Sequence, residues 1–359
     1  MAVDALVLPA SLPRPAAHLN GFSDLLRQVK DAGLMRRRYG YYWSRFAGAA
    51  VALGSVFTGV VLLGDSWLQL VLAAVLGLIL AQLGFLGHEA SHRQIFRSAS
   101  WNDWSGRVLS AFFAGISHGW WMNKHSRHHG NPNKLDADPD IRSGAVAFSD
   151  EASHARRGVG RWLVQRQGWF FLPLLTLEGL SLHVSSVRHL LSRRPVRHRG
   201  VELTFLTVRF VGYLAVIFWL LPPGLAFAFV GVQVGVFGFL LGGAFAPNHI
   251  GMSLVPREVK IDFLRRQVLT SRNITGGPVV RFLMGGLDLQ VEHHLFPGMA
   301  RPNLRQAREL VRRYCDEHRI TYTETTLLES YGQVLRYLNE VGLGARNKTF
   351  VCPMVAQLR

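Results

Sequence analysis

The chain has 359 residues, is 49% hydrophobic and carries a formal charge of +17. So large a basic excess raises nucleic acid as a partner, but no binding motif accompanies it, and that function class is set aside. Two cysteines, Cys315 and Cys352, stand outside any Cys-x-x-Cys pair; they exclude a disulfide framework and read as inert thiols on a cytosolic face.

In chain order, the opening MAVDALVLPASLPRP has no basic residue ahead of its apolar run, unlike a signal peptide. Residues 1–20 are expected to form a flexible tail. Phe46 to Gly64 and Trp67 to Gly87 make a first apolar pair; Leu203 to Leu221 and Leu225 to Ala246 make a second. Each run has the roughly 20 residues that cross a bilayer core as a helix. The turns inside the pairs, GDS and PPG, carry no Lys or Arg. Of the 40 basic residues, 39 lie before residue 46, between 87 and 202, or after 246; the last is Arg209, inside the third run. That asymmetry predicts four spans with both termini cytoplasmic. Val108 to Met122 and Trp169 to Leu191 are apolar but short or interrupted, and are expected to lie in the interface or packed under the spans. Asn303 to His318, following Pro302, and Thr325 to Val341, with apolar residues at helical spacing, are expected as cytoplasmic helices. The fold class is therefore all-α and integral to the membrane: a tail and interfacial segment (1–45), a membrane domain (46–300) and a C-terminal helical segment (301–359).

Fifteen histidines are many, and their grouping carries the signal. His88 and His92 sit in HEASH after the second span. His125, His128 and His129 sit in HSRHHG, His249 in APNHIG after the fourth span, and His293 and His294 in QVEHH. Positions four apart share a helix face, so His88/His92, His125/His129 and Gln290/His294 each aim two side chains at one point. With four spans, all of these groups reach the cytoplasmic side. Eight imidazoles converging there point to metal binding. One zinc uses about four ligands, so two ions of higher coordination number fit the count better; imidazole suits iron, and two irons can activate dioxygen, which zinc cannot.

At these residues the sequence resembles the membrane-bound fatty acid desaturase and hydroxylase family. HEASH, HSRHH followed by NPNKLDADPD, and QVEHHLFP come in that family's order and spacing with two helix pairs interleaved, over roughly residues 40 to 300. The resemblance implies that His88, His92, His125, His128, His129, His293 and His294 ligate two non-haem irons, with dioxygen as co-substrate. His249 corresponds to the extra histidine near the end of the last span. Gln290 stands where many relatives have a histidine; it is a candidate to ligate weakly, hold a water or only hydrogen-bond. Glutamine at that place resembles the front-end desaturases, which insert a double bond between an existing one and the carboxyl end. Most such eukaryotic enzymes carry a fused haem domain with a His-Pro-Gly-Gly signature, absent here, so electrons are expected from a separate ferredoxin-like protein, or a haem protein with its reductase. Bacterial-type acyl desaturases fit equally. The implied substrate is a fatty acyl CoA thioester or lipid, drawn from or near membrane lipid into a buried tunnel, with Trp120, Trp121 and Phe112 as candidate liners; interfacial anchoring is the alternative for the tryptophans.

Ligating histidines usually donate their second N–H to an acceptor, and Glu89, Asp136, Asp138, Asp140 and Glu292 are near enough in sequence to serve. A solvated acidic loop is the alternative at 136–140. His18, His118, His154, His183, His189, His198 and His318 read as structural or exposed. Three rival readings exist. HEASH matches the H-E-x-x-H zinc metalloprotease pattern, with Glu89 as base and the aspartate of GGLDL, Asp288, as a third ligand. A diiron lipid hydroxylase or ketolase shares the ligand set. A membrane metal carrier would place its ligands within the spans instead.

Overall fold

The computed structural model describes residues 21–142 and 144–344. The expected tail at 1–20, His18 and Cys352 lie outside the described residues. Among the described residues four helices are long and apolar enough to cross a membrane: Tyr39–Leu63, Gln69–Ser91, Arg199–Leu220 and Pro223–His249. They match the four runs read from hydropathy, and each extends past the purely apolar stretch. The second continues to Ser91 and so carries His88 and Glu89 on its last turn; the fourth continues through Pro247 and Asn248 to His249. The protein is an all-α membrane protein.

The second and fourth spans are the inner pair. In their most apolar windows 56% and 39% of residues are buried, against 11% and 17% for the first and third. The outer pair keeps side chains such as Val61, Leu62 and Trp219 exposed, as a helix solvated by lipid does. Arg209, the one cation within the third apolar run, donates Nε–H to the Phe113 carbonyl at 2.8 Å and lies 4.4 Å from the Tyr213 ring centre. It thus finds partners inside the protein, which a charge in a span requires.

Both ambiguous segments are broken helices. The stretch expected from Val108 divides into Ala99–Arg107 with a π-helical continuation at Val108–Phe113, and a new helix, His118–Gly130, whose N-terminus is capped by Ser117. The stretch expected from Trp169 is two helices, Gln167–Leu175 and Glu178–Leu191, bent by 72° with Pro173 inside the first. Proline deprives the helix of a donor near the break.

A cap closes over one end of the spans. Gly21–Asp31, Phe263–Leu269, Gln290–Leu295 and Arg301–Glu317 share an apolar core that includes Leu25, Val29, Val268, Leu295 and Val311. The last helix, Leu327–Gly344, buries Val334, Leu338 and Val341 against Phe171 and Leu175. A parallel ladder pairs Asn273–Thr275 with Glu324–Thr326. Strands of three residues are too short to show alternation, so hydropathy does not reveal them.

Candidate metal centre

Local structure sets each histidine. His88 and the helix-terminating His92 lie one turn apart at the end of the second span. The His118–Gly130 helix presents His125, His128 and His129; its start is fixed where Ser117 Oγ accepts from the Trp120 N–H and donates to Glu202 at 2.6 Å. A turn at Gly285–Gly286, with φ of 61° and 87°, reverses the chain ahead of Gln290–Leu295. A Cβ at Gly285 would overlap the Phe85 ring, and one at Gly286 the Arg301 stem, so only glycine fits this left-handed turn.

The eight histidines meet as two adjoining groups. In the first, ring nitrogens of His88, His92, His125, His129 and His293 lie within 4.8 Å of one another. His125 Nε2 is 2.9 Å from His88 Nε2, 2.8 Å from His92 Nε2 and 3.1 Å from His129 Nε2. An imidazole nitrogen carries one proton or one lone pair, so it cannot hydrogen-bond three such neighbours at once. His293 Nε2 is buried with no partner. Crowded, unshared lone pairs of this kind are satisfied by a cation. Burial, then repulsion among the neighbouring rings, holds His125, His129 and His293 far below the ordinary histidine pKa; burial and His128 hold His92 at about 3. The rings are thus neutral, the form that binds metal.

The second group is His128, His249 and His294. Each ring has its other nitrogen anchored. His128 Nδ1 faces both oxygens of Asp138 at 3.0 Å and Asp140 at 3.3 Å. His249 Nδ1 donates to the Thr270 carbonyl, and His294 Nδ1 to Gln267 Oε1, each at 2.9 Å. These anchors turn every Nε2 toward the shared centre, and His294 Nε2 has no partner. Gln290 places its amide 2.9 Å from His249 Nε2, with Asn248 behind it at 3.2 Å. The His129 and His294 rings stack with centroids 4.2 Å apart, which joins the two groups. The donor set suits two metal ions side by side.

The five expected carboxylate partners divide. Asp138 and Asp140 touch His128. The other three are corrected. Asp136 is exposed and pairs with Arg257, because its backbone turns left-handed (φ 65°) and points the side chain away. Glu89, buried, pairs with Arg301. Glu292 accepts from Tyr322 at 2.7 Å and Asn273 at 2.8 Å. Asp288 faces Arg281 and belongs to neither histidine group. His118 and His183 are buried outside both groups, against Asp103 and the Ala114 carbonyl. Sequence reading missed Gln267 and Thr270, which carry no spacing signal because they approach from a separate segment.

The sequence matches the fatty acid desaturase family over residues 65–326. The chain belongs to the fatty acid desaturase family. Among curated relatives, the desaturase is 26% identical to a Delta(8)-fatty-acid desaturase of Helianthus annuus, covering 92% of this chain and 75% of that one. It is 27% identical to an acyl-lipid (9-3)-desaturase of Borago officinalis (92% and 77%) and 28% identical to the Delta(6)-fatty-acid desaturase fat-3 of Caenorhabditis elegans (90% and 75%). Family members are oxidoreductases that act on fatty acyl chains.

A cavity in the desaturase runs against the histidines, with His88, His128 and His249 in its wall. Its apolar side includes Phe85, Ala114, Leu182, Leu241 and Phe245. Lys124, Asp140 and Glu178 form its polar side; Lys124 bonds Asp140 at 2.8 Å, and both keep about a third of their side-chain surface in water. Of the expected liners, Trp121 faces this cavity. Phe112 faces a separate groove, and Trp120 instead packs near Lys124.

Proposed function

We propose that this desaturase holds two irons in its paired histidine groups, takes dioxygen as co-substrate, and inserts a C=C bond into a fatty acyl chain lying in the adjoining cavity. The observation that carries this reading is the convergence of three imidazole Nε2 atoms on His125 Nε2, beside a three-histidine group and an apolar cavity. Bound iron supplies the redox chemistry that removes two hydrogens from unactivated methylenes, which acid–base groups cannot do at pH 7.

The protein's own residues do the rest. His88, His92, His125, His129 and His293 hold one ion; His128, His249 and His294 hold the other, with Gln290 ligating weakly or positioning a water there. Asp138 keeps the His128 proton on Nδ1, so that Nε2 keeps its lone pair. Phe85, Leu241 and Phe245 exclude water from the reacting carbons and align the chain past the histidines. The acyl head group rests at the Lys124–Asp140–Glu178 side, which fixes the reacting carbons by distance from the carboxyl end. Relatives named for Delta(8) and Delta(6) positions support that counting. Both termini and the site face the cytoplasm, and electrons come from a carrier outside these 359 residues. The metalloprotease reading gains no support, since Glu89 is committed to Arg301 and Asp288 to Arg281.

Expression in a host of known lipid profile, with double bonds mapped by mass spectrometry, tests the reading. New unsaturation at a fixed distance from the carboxyl carbon is expected. A new hydroxyl without unsaturation would overturn the desaturation outcome while leaving the metal groups standing.

A further inference from the structure

A second polar recess lies between the start of the first span, at Tyr41 and Arg45, and the cap. It shares no lining residue with the acyl cavity. Four arginines border it: Arg45, Arg281, Arg301 and Arg305. Two are neutralised, Arg301 by Glu89 and Arg281 by Asp288 at 3.7 Å. Arg45 lies 5.0 Å from the Tyr41 ring centre, and neither it nor Arg305 belongs to an ion pair among the described residues. Two positive charges are therefore uncompensated at this recess.

The recess continues into an apolar groove through shared residues Arg45, Phe282 and Arg301. The groove descends between the first and second spans, along Gly48, Ala49 and Ala52 on one wall and Leu78, Ile79 and Leu86 on the other. A Cβ at Gly48 would meet nothing within 4 Å, so the groove is open there. Arg45 stands near the cap end of its span, and the groove runs from it toward the middle of the span. Cationic head and apolar tail thus follow the order of one bilayer leaflet.

We propose that this recess and groove bind one anionic phospholipid, with its phosphodiester between Arg45 and Arg305 and an acyl chain along Gly48 and Ala52. Charge complementarity selects an anionic head group, and continuity with the spans selects a lipid over a soluble anion. The bound lipid is distinct from the substrate, because no histidine lines the recess or the groove, whereas His88, His128 and His249 line the other cavity.

The test is native mass spectrometry of the full chain released from detergent micelles. The probes are phosphatidylglycerol, phosphatidylcholine of the same acyl chains, and glycerol 3-phosphate. One phosphatidylglycerol per chain is expected, held about 10-fold or more tighter than phosphatidylcholine. The double variant Arg45→Ala/Arg305→Ala should lose that preference, and Arg45→Lys/Arg305→Lys should keep most of it, which separates charge from folding. Gly48→Leu should weaken phosphatidylglycerol retention by filling the groove. Equal retention by wild type and the double alanine variant would overturn the proposal. So would phosphatidylcholine bound as tightly, or glycerol 3-phosphate bound as tightly as the lipid, which would mark a free-phosphate site. Displacement of the lipid by a soluble acidic protein with no lipid preference left would reassign the recess to a protein partner.

Discussion

Replacing Asp138 by asparagine exchanges one carboxylate oxygen for an NH2 at the base of the second histidine group. The Asp138 carboxylate is fully buried and accepts from three donors: His128 Nδ1, the Asn133 N–H at 2.7 Å and the Asp140 N–H at 2.9 Å. Asparagine keeps one acceptor oxygen and sets an NH2 against the remaining donors. The relaxed solution flips the His128 tautomer, so that Nδ1 accepts and the proton moves to Nε2, where the lone pair is needed. Loss of such a supporting contact typically costs about 10–100-fold in metal affinity, or roughly 1.4–2.7 kcal/mol. The expected effect is confined to one ion: at iron levels that saturate the wild type, Asp138→Asn should retain close to one iron instead of two. Iron titration followed by elemental analysis measures this. Asp136→Asn is the internal control, since Asp136 is exposed and faces Arg257; it should bind iron as the wild type does. An Asp138→Asn protein that holds two irons with unchanged affinity would refute the role assigned to the carboxylate.

Three other outcomes follow from the geometry. Glu89→Gln leaves the part-buried Arg301 without its counter-charge and should destabilise the fold by about 3 kcal/mol, read by denaturant unfolding in micelles; the folded fraction should keep its metal, and a variant of full stability that lacks metal would contradict this. Gly84 lines the cavity proposed to hold the acyl chain, one turn before His88, and a Cβ there would sit 3.5 Å from Leu241, so Gly84→Leu should shorten the accepted acyl chain. Long-chain products should fall about 10-fold relative to short ones, whereas an equal loss at all lengths in the product profile would argue against that placement. Burial pushes the Cys315 thiol up to about 12, so the thiol stays protonated up to pH 8 and gains thiolate only as pH climbs toward that value. Iodoacetamide at pH 8 should label it only after unfolding, as peptide mapping will show; rapid labelling of folded protein would contradict its burial.

Much of the architecture was legible because a bilayer span and a histidine cluster both impose patterns on sequence. A span needs a long apolar run, and Phe46 to Gly64 or Leu225 to Ala246 can hardly be read otherwise. Histidines four apart on a helix declare a shared target, which is why His88 with His92 and His125 with His129 stood out. His249 was harder, being single, and its place rests on the fourth span continuing past Pro247. Partner carboxylates were read by nearness in sequence, and this failed for Asp136, Glu89 and Glu292. A side chain's direction depends on local φ and on what packs against it; Arg257, Arg301 and Tyr322 arrive from distant segments. Gln267 and Thr270 were invisible for the same reason. Hydropathy also could not show that the Trp169 to Leu191 stretch bends by 72°, since both arms are apolar.

The histidines of four separate segments are proposed to hold a pair of redox metals. Iron quantification on active, purified protein, joined to X-ray absorption at the iron edge, tests it most directly. Two irons per chain in a nitrogen-rich shell, lost on His293→Ala, are expected. A single zinc, or active protein free of any redox metal, would contradict the account.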